Sequence, residues 1–361
     1  MNLDAECIRQ IAKDSFISIG ANSDWQSFLT QASPRILFLG GSVTQGYAAG
    51  EVKAYAYPRQ FVDMLVQQGY SPEYHVIAAP GMDALTVNAL YAEQQMDEPP
   101  HLAVIEFAIN ETTLRPSVKA VESLVRRLLM LPQPPIVCML LMRNVRGYSC
   151  DSFMEPLAEH YGLPCINLRY GLEPQLTNGT LVWDAFADEE SHPTQAGHRL
   201  LAESLMYLLE RAKTEQTESV SYAQLPAPWL AAPYVTLQYL TPISKTSLPV
   251  ITKGFSVVTR QERYYPTVWQ TEDAGARWEL TLHCRTCVLF YEVHNLPEYG
   301  SCQVLWDGKA PKESVLESYS IYGWGNPKHL LLCADSQTQE HTLTLCAQGG
   351  RFVVLGIGYC E

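Results

Sequence analysis

The chain has 361 residues, of which 47% are hydrophobic and 17% charged, and its formal net charge is -13. That is a globular composition, long enough for two domains. The acidic balance argues against nucleic acid and anionic membrane as partners, since both attract basic patches, and no run approaches the roughly 20 apolar residues of a membrane span.

In chain order, Met1-Asn2-Leu3-Asp4-Ala5-Glu6-Cys7-Ile8-Arg9-Gln10 has no long apolar core and does not read as a secretory leader. Residues 1–33 read as a helical and loop-like extension. From Arg35 the pattern alternates. Apolar runs at 35–40, 74–79, 102–108, 135–142 and 163–167 have the character of buried parallel strands, and 58–65, 85–96, 117–131 and 152–161 that of helices. A last helix follows Ser191-His192-Pro193. Thr194 can cap it, and Leu200, Leu201, Leu205, Leu208 and Leu209 form its apolar side. Strand–helix alternation predicts an open α/β sheet with helices on both faces, in which sites form at the carboxyl ends of the strands.

The composition changes at Lys213. A polar stretch to Ser221, then Pro226, Pro228 and Pro233, marks residues 214–233 as a linker between an α/β domain at 34–213 and a second domain at 234–361. The second part carries short β-rich segments at 234–239, 254–259, 277–283, 287–293, 302–306, 329–333, 341–346 and 351–358, without helices between them. Asp307-Gly308 and Gly349-Gly350 supply turns, and the pattern predicts a β-sandwich.

The ten cysteines show no disulfide framework, and with no leader they point to a reducing, cytoplasmic location. Cys138 and Cys165 sit in apolar runs, where a thiol behaves as a small hydrophobe. Cys284-Arg285-Thr286-Cys287 is the one CxxC; a zinc site would need a second pair of ligands at comparable spacing, so no metal is expected.

The chemistry begins where Ile36-Leu37-Phe38-Leu39 stops at Gly40-Gly41 and Ser42 follows. Glycines there permit a tight turn and leave the hydroxyl uncrowded. Taken alone, Ser42 reads first as a cap of the next helix. A hydroxyl also needs a base, and His192 stands downstream with acids just before it. His198, within the helix, is the alternative and reads as structural. Between serine and histidine lie Ala79-Pro80-Gly81 and Phe107-Ala108-Ile109-Asn110-Glu111.

These four blocks, in this order, resemble the SGNH (GDSL-like) hydrolase superfamily over roughly the first two-thirds of the chain. The resemblance implies a three-layer α/β/α fold with a flavodoxin-like sheet and an acyl-enzyme ester hydrolysis. In it Ser42 is nucleophile, His192 is general base and then acid, and Ser42, Gly81 and Asn110 form an oxyanion hole. The family's aspartate, three residues before its histidine, is here Glu189, with Asp188 one position further back, so the acid is either Glu189 or Asp188. No metal or organic cofactor is implied. Arg143 and Asn144 follow the fourth strand and are candidates for the substrate rim, while Trp183-Asp184 reads as packing beneath the histidine loop.

The second part resembles galactose-binding-like jelly rolls used as carbohydrate-binding modules. In Ile321-Tyr322-Gly323-Trp324-Gly325-Asn326-Pro327, Trp324 offers a flat ring for a sugar face and Asn326 an amide for hydroxyls, unless Trp324 fills a domain interface. Trp278 and Trp306, inside strand patterns, read as core. The domain order resembles bacterial esterases that deacetylate hemicellulose, which makes acetylated manno- or xylo-oligosaccharides the expected substrate. A lipid or thioester hydrolase on the same fold, and a sugar-binding protein with a decayed site, are the other two readings. Neither nucleic acid nor membrane is an expected partner, and homo-oligomer formation is left open.

Overall fold

In a computed structural model of the chain, the described residues are 3–47, 52–94, 96, 98–188, 190–215, 225–244 and 248–361. They fall into two compact units, Met1–Val87 with Met96–Ala232, and Asn88–Gln95 with Pro233–Glu361. Residues 216–224 of the expected linker lie outside the described residues.

The sheet of the first unit contains β1 (Phe16–Ser18), β2 (Arg35–Gly40), β3 (Glu73–Ala78), β4 (Leu102–Glu106), β5 (Ile136–Leu141) and β6 (Cys165–Asn167). Their order is β1-β6-β5-β4-β2-β3. All pairings are parallel except that of β1 with β6. The amino-terminal extension therefore does more than form helix and loop, since it adds an antiparallel edge strand. β4 and β5 are buried at every position, which is why they read as unbroken apolar runs.

The helices are α1 (Ala5–Asp14), α2 (Trp25–Thr30), α3 (Ser42–Gln45), α4 (Val52–Tyr55), α5 (Tyr57–Gln67), α6 (Ala84–Glu93), α7 (Arg115–Leu129), α8 (Asp151–Tyr161), α9 (Leu168–Thr177), α10 (Trp183–Phe186) and α11 (Gln195–Thr214). Asp4 and Asp24 cap α1 and α2 by accepting from the Cys7 and Ser27 N–H groups. Ile11, Trp25 and Phe28 then bury against the unit's core, beside Leu200, Leu205 and Leu208 of α11. α9 and α10 escaped the sequence reading; Pro174 interrupts one, and the other is a single turn.

β3 lies on one side of β2, and β4, β5 and β6 lie on the other. The winding thus reverses at β2, and the carboxyl ends of β2, β3 and β4 flank the crevice where open α/β sheets bind ligands.

The second unit is antiparallel: β7 (Gln238–Leu240), β8 (Val250–Lys253), β9 (Ser256–Thr259), β10 (Thr267–Thr271), β11 (Arg277–His294), β12 (Ser301–Trp306), β13 (Val315–Glu317), β14 (Trp324–Gly349) and β15 (Phe352–Cys360). The path runs β13-β12-β14-β11-β15-β10-β9, with β7 on β15 and β8 on β11. Two pairs of expected strands are fused: 277–283 with 287–293 in β11, and 329–333 with 341–346 in β14. β11 changes partner along its length, pairing with β8 at Arg277–Leu280 and with β15 at Thr286–Tyr291. That change curls the sheet around a core containing Trp278, Leu289, Leu343 and Phe352. Asp307 and Gly308 both have positive φ, 53° and 72°, the pairing that a two-residue type I′ hairpin requires.

Among the described residues no helix is long and apolar enough to cross a membrane.

Candidate active site

β2 ends at Gly40, and the chain turns through Gly41 into α3, whose first residue is Ser42. Both glycines are required by close approach. A Cβ on Gly40 would stand 2.0 Å from the Thr44 hydroxyl and 2.8 Å from the Glu106 carbonyl, and one on Gly41 would stand 2.5 Å from Asn110 Nδ2. Gly46, with φ at 90°, closes α3 in the left-handed region.

The histidine reaches Ser42 from a loop held by its own backbone. Ala187 and Pro193 form an isolated bridge, and the Thr194 N–H donates to the Phe186 carbonyl at 2.9 Å. Thr194 also caps α11 through Gly197 N–H, so the loop is anchored to the long helix behind it. His192 Nε2 lies 3.0 Å from Ser42 Oγ, and His192 Nδ1 lies 2.9 Å from Asp188 Oδ2. The other oxygen of Asp188 accepts the N–H groups of Glu190, Ser191 and His192 at 3.1, 2.9 and 2.9 Å. Burial alone would raise this carboxyl. The N–H groups of His192 and Ser191, the His192 ring and the Glu190 N–H outweigh it and hold Asp188 below the usual carboxylate range. The ring is therefore bonded to the acid four residues before it. Glu189, at the spacing usual in the family, lies outside the described residues.

Asn110 follows β4, its N–H bonded to the Phe107 carbonyl at 2.9 Å and its amide against Gly41. Gly81 follows β3 with φ at 74°, a value that favours glycine. Ser42, Gly81 and Asn110 thus follow the carboxyl ends of the neighbouring strands β2, β3 and β4, and His192 joins them from the loop before α11 through its bond to Ser42. The first N–H groups of a helix have no intrahelical acceptor, and Ser42 opens α3. A hydroxyl bonded to a neutral imidazole whose other nitrogen donates to a carboxylate can act as a nucleophile on an acyl carbon.

Three residues that sequence reasoning passed over belong to this site. Glu111 is buried and accepts from the Ala84 N–H at 2.7 Å, tying the asparagine block to the start of α6 just after Gly81. The Tyr47 ring lies 4.6 Å from that of His192 and is half exposed. Beneath α3, Glu106 is fully buried. Thr44 Oγ1 donates to it at 3.1 Å while also pairing with Tyr57 Oη at 3.0 Å. Burial pushes the Glu106 carboxyl up to about 7, against the lowering effect of the Thr44 bonds. A Glu at the end of a buried strand was the available signal.

Other candidates are spent on structure. His198 is fully buried on α11, accepts the Tyr57 N–H at 3.3 Å, and is depressed to about 4 by burial, so it is neutral across the ordinary range. Arg143, expected at the substrate rim, makes contacts within its own unit. It pairs with Glu173, donates to the Asn144 and Val145 carbonyls at 3.0 and 3.1 Å, and lies over the Trp183 ring at 5.7 Å. Asn144 likewise folds its own loop, accepting from the Arg146 and Tyr148 N–H groups at 3.0 and 2.9 Å. Trp183 donates its indole N–H to the Asp188 carbonyl and so supports the acid. In the second unit Trp324 and Tyr322 are exposed at 56% and 80%, and Asn326 accepts the Trp324 N–H at 3.1 Å. Trp278 is core, as its strand pattern suggested.

No protein-family model matches the chain, and no curated protein sequence does. Structure comparison does find matches. A two-domain esterase (CEX) active on acetylated mannans superimposes with a TM-score of 0.85, covering 97% of this chain and 99% of that one at 19% identity. The chain shares its fold with a two-domain esterase. The same esterase co-crystallised with mannopentaose matches with a TM-score of 0.84 at 18% identity, over 97% and 98% of the two chains. The likeness runs through both units and is not confined to the α/β sheet.

Proposed function

We propose that the chain is a serine esterase that removes O-acetyl groups from carbohydrate, with acetylated manno- or xylo-oligosaccharides as substrates. The observation that carries this reading is the unbroken hydrogen-bond chain Ser42–His192–Asp188 at the carboxyl ends of β2, β3 and β4. In the mechanism His192 Nε2 takes the Ser42 proton as Oγ attacks the acetyl carbon. Negative charge forms on the carbonyl oxygen, facing the Ser42 and Gly81 N–H groups and the Asn110 amide. His192 then returns the proton to the departing sugar hydroxyl, and water, activated by the same ring, releases acetate from Ser42.

The sugar rests on the relatives' substrate and on exposed Trp324, whose ring can stack on a pyranose face. Ten free thiols, Cys7, Cys138, Cys150, Cys165, Cys284, Cys287, Cys302, Cys333, Cys346 and Cys360, support a reducing, cytoplasmic setting and hence oligosaccharides rather than intact polymer. The deciding experiment measures acetate release from acetylated mannan and xylan oligosaccharides, with Ser42→Ala as control. Serine-dependent release supports the reading and ranks the sugars. Cleavage of p-nitrophenyl acetate without release from either sugar would keep the mechanism and overturn the substrate. Preference for long-chain p-nitrophenyl esters would favour the lipid reading.

A further inference from the structure

We propose that the second unit holds a zinc-type divalent cation on Cys333 Sγ, the Asp335 carboxylate and His341 Nε2. Their ligand atoms all lie within 4.8 Å of one another. The strand register explains how residues on one strand converge. Across β11 and β14, Cys284 is opposite Gln339 but Thr286 is opposite Ala334, so residues 335–338 bulge out of the ladder. Cys333 stands before the bulge, Asp335 on it and His341 beyond it.

The histidine is prepared as a ligand. It is 8% exposed, its Nδ1 lies 2.8 Å from Asp307 Oδ2, and Asp307 Oδ1 accepts the Thr342 N–H at 2.8 Å. With Nδ1 engaged by a carboxylate that also accepts a backbone N–H, the ring leaves Nε2 as the atom open to a ligand. Among the described residues that buried Nε2 has no hydrogen-bond partner, and the Asp335 carboxylate stands 4.0 Å away. Carboxylate–histidine support of this kind is how proteins orient a metal-binding imidazole. Trp306 fixes the ring from one face, with centroids 4.7 Å apart.

Thiolate, imidazole and carboxylate together suit zinc, not calcium or magnesium. Tetrahedral zinc ligands stand roughly 3.3–3.8 Å apart, so the trio closes by up to about 1.5 Å on binding. The Cys284 thiol, in contact with that of Cys333, is a further donor beside the site. A bound divalent charge favours the thiolate, so the Cys333 thiol proton goes to solvent as the sulfur–metal bond forms, and water completes the coordination. The CxxC at 284–287 thus lies opposite the ligands on the facing strand.

The test uses the full-length, reduced, chelator-stripped chain titrated with cobalt(II). One equivalent should bind with tetrahedral d–d bands and a thiolate-to-cobalt charge-transfer band, both abolished by added zinc. His341→Ala and Cys333→Ser should lose the bands, and Ser42→Ala should keep them. Asp307→Asn guards against misfolding, because asparagine tolerates the positive φ at this turn. It should weaken cobalt binding by about 10- to 100-fold. No charge-transfer band on a chain with ten titratable thiols would overturn the site. So would bands that survive in Cys333→Ser, or cobalt affinity unchanged in Asp307→Asn.

Discussion

Ser42 Oγ, His192 and Asp188 make separable demands on single atoms. Ser42→Ala should lower ester hydrolysis by roughly 10⁵- to 10⁶-fold with the fold intact, checked with p-nitrophenyl acetate and circular dichroism. Asp188→Asn keeps an oxygen for the loop's N–H groups but offers the ring a donor, which forces the wrong tautomer and should cost roughly 10³- to 10⁴-fold in kcat. Glu189→Ala should stay near the unsubstituted rate, because the ring nitrogen already has its carboxylate. A larger loss for Glu189→Ala than for Asp188→Ala would reassign the acid. Glu106 makes a different prediction. Between the ordinary glutamate value of 4.5 and about 7, the unfolded chain gives up a proton that the native chain keeps. Native stability should therefore fall as pH rises through that window, by ~3 kcal/mol, and level off above it. Glu106→Gln has no such proton to hold. Its stability relative to the parent should grow across the window, as urea unfolding at pH about 5 and about 8 would show; a constant difference would contradict the account.

The turn from β2 into α3 works only because two backbones and an amide meet without side chains between them. Gly41→Ala places a Cβ 2.5 Å from Asn110 Nδ2, so it should displace that amide. The expected result is a kcat loss of roughly 10²- to 10³-fold, the scale of losing one oxyanion donor, with KM little changed. At this scale much of the first unit was legible. Unbroken apolar runs marked β2, β4 and β5, and Gly-Gly-Ser, Pro-Gly and Ile-Asn-Glu each fell just past a strand. What was not legible had no local signature. Tyr47 and Glu111 matter through partners distant in sequence. β1 is three residues long, and its pairing with β6 is set only once the sheet exists. In β11, Arg285-Thr286 looks like a break between two strands, yet the chain continues through an irregularity and takes a new neighbour. The histidine–aspartate pairing at 341 and 307 was equally hidden, since only strand register brings it about.

For the whole molecule, the coverage of 97% with the mannan-active esterase says that both units belong to the shared architecture. If Trp324 makes the proposed sugar contact, Trp324→Ala should reduce acetate release from oligosaccharides while sparing a small aryl acetate. Equal loss on both substrates would make Trp324 structural. The order of assembly also follows from the site. Histidine and acid are four residues apart and joined by a turn that its own N–H groups close, whereas the serine is 150 residues from the histidine. Local contacts form quickly, and long loops close late. The acid–base half of the machinery can thus be complete while the nucleophile is still unplaced. In a refolding time course, ester hydrolysis should return after helical circular dichroism does, because turnover waits on the last parallel pairing that brings β2 to its neighbours. Enzyme activity would then serve as a clock for the completion of the sheet.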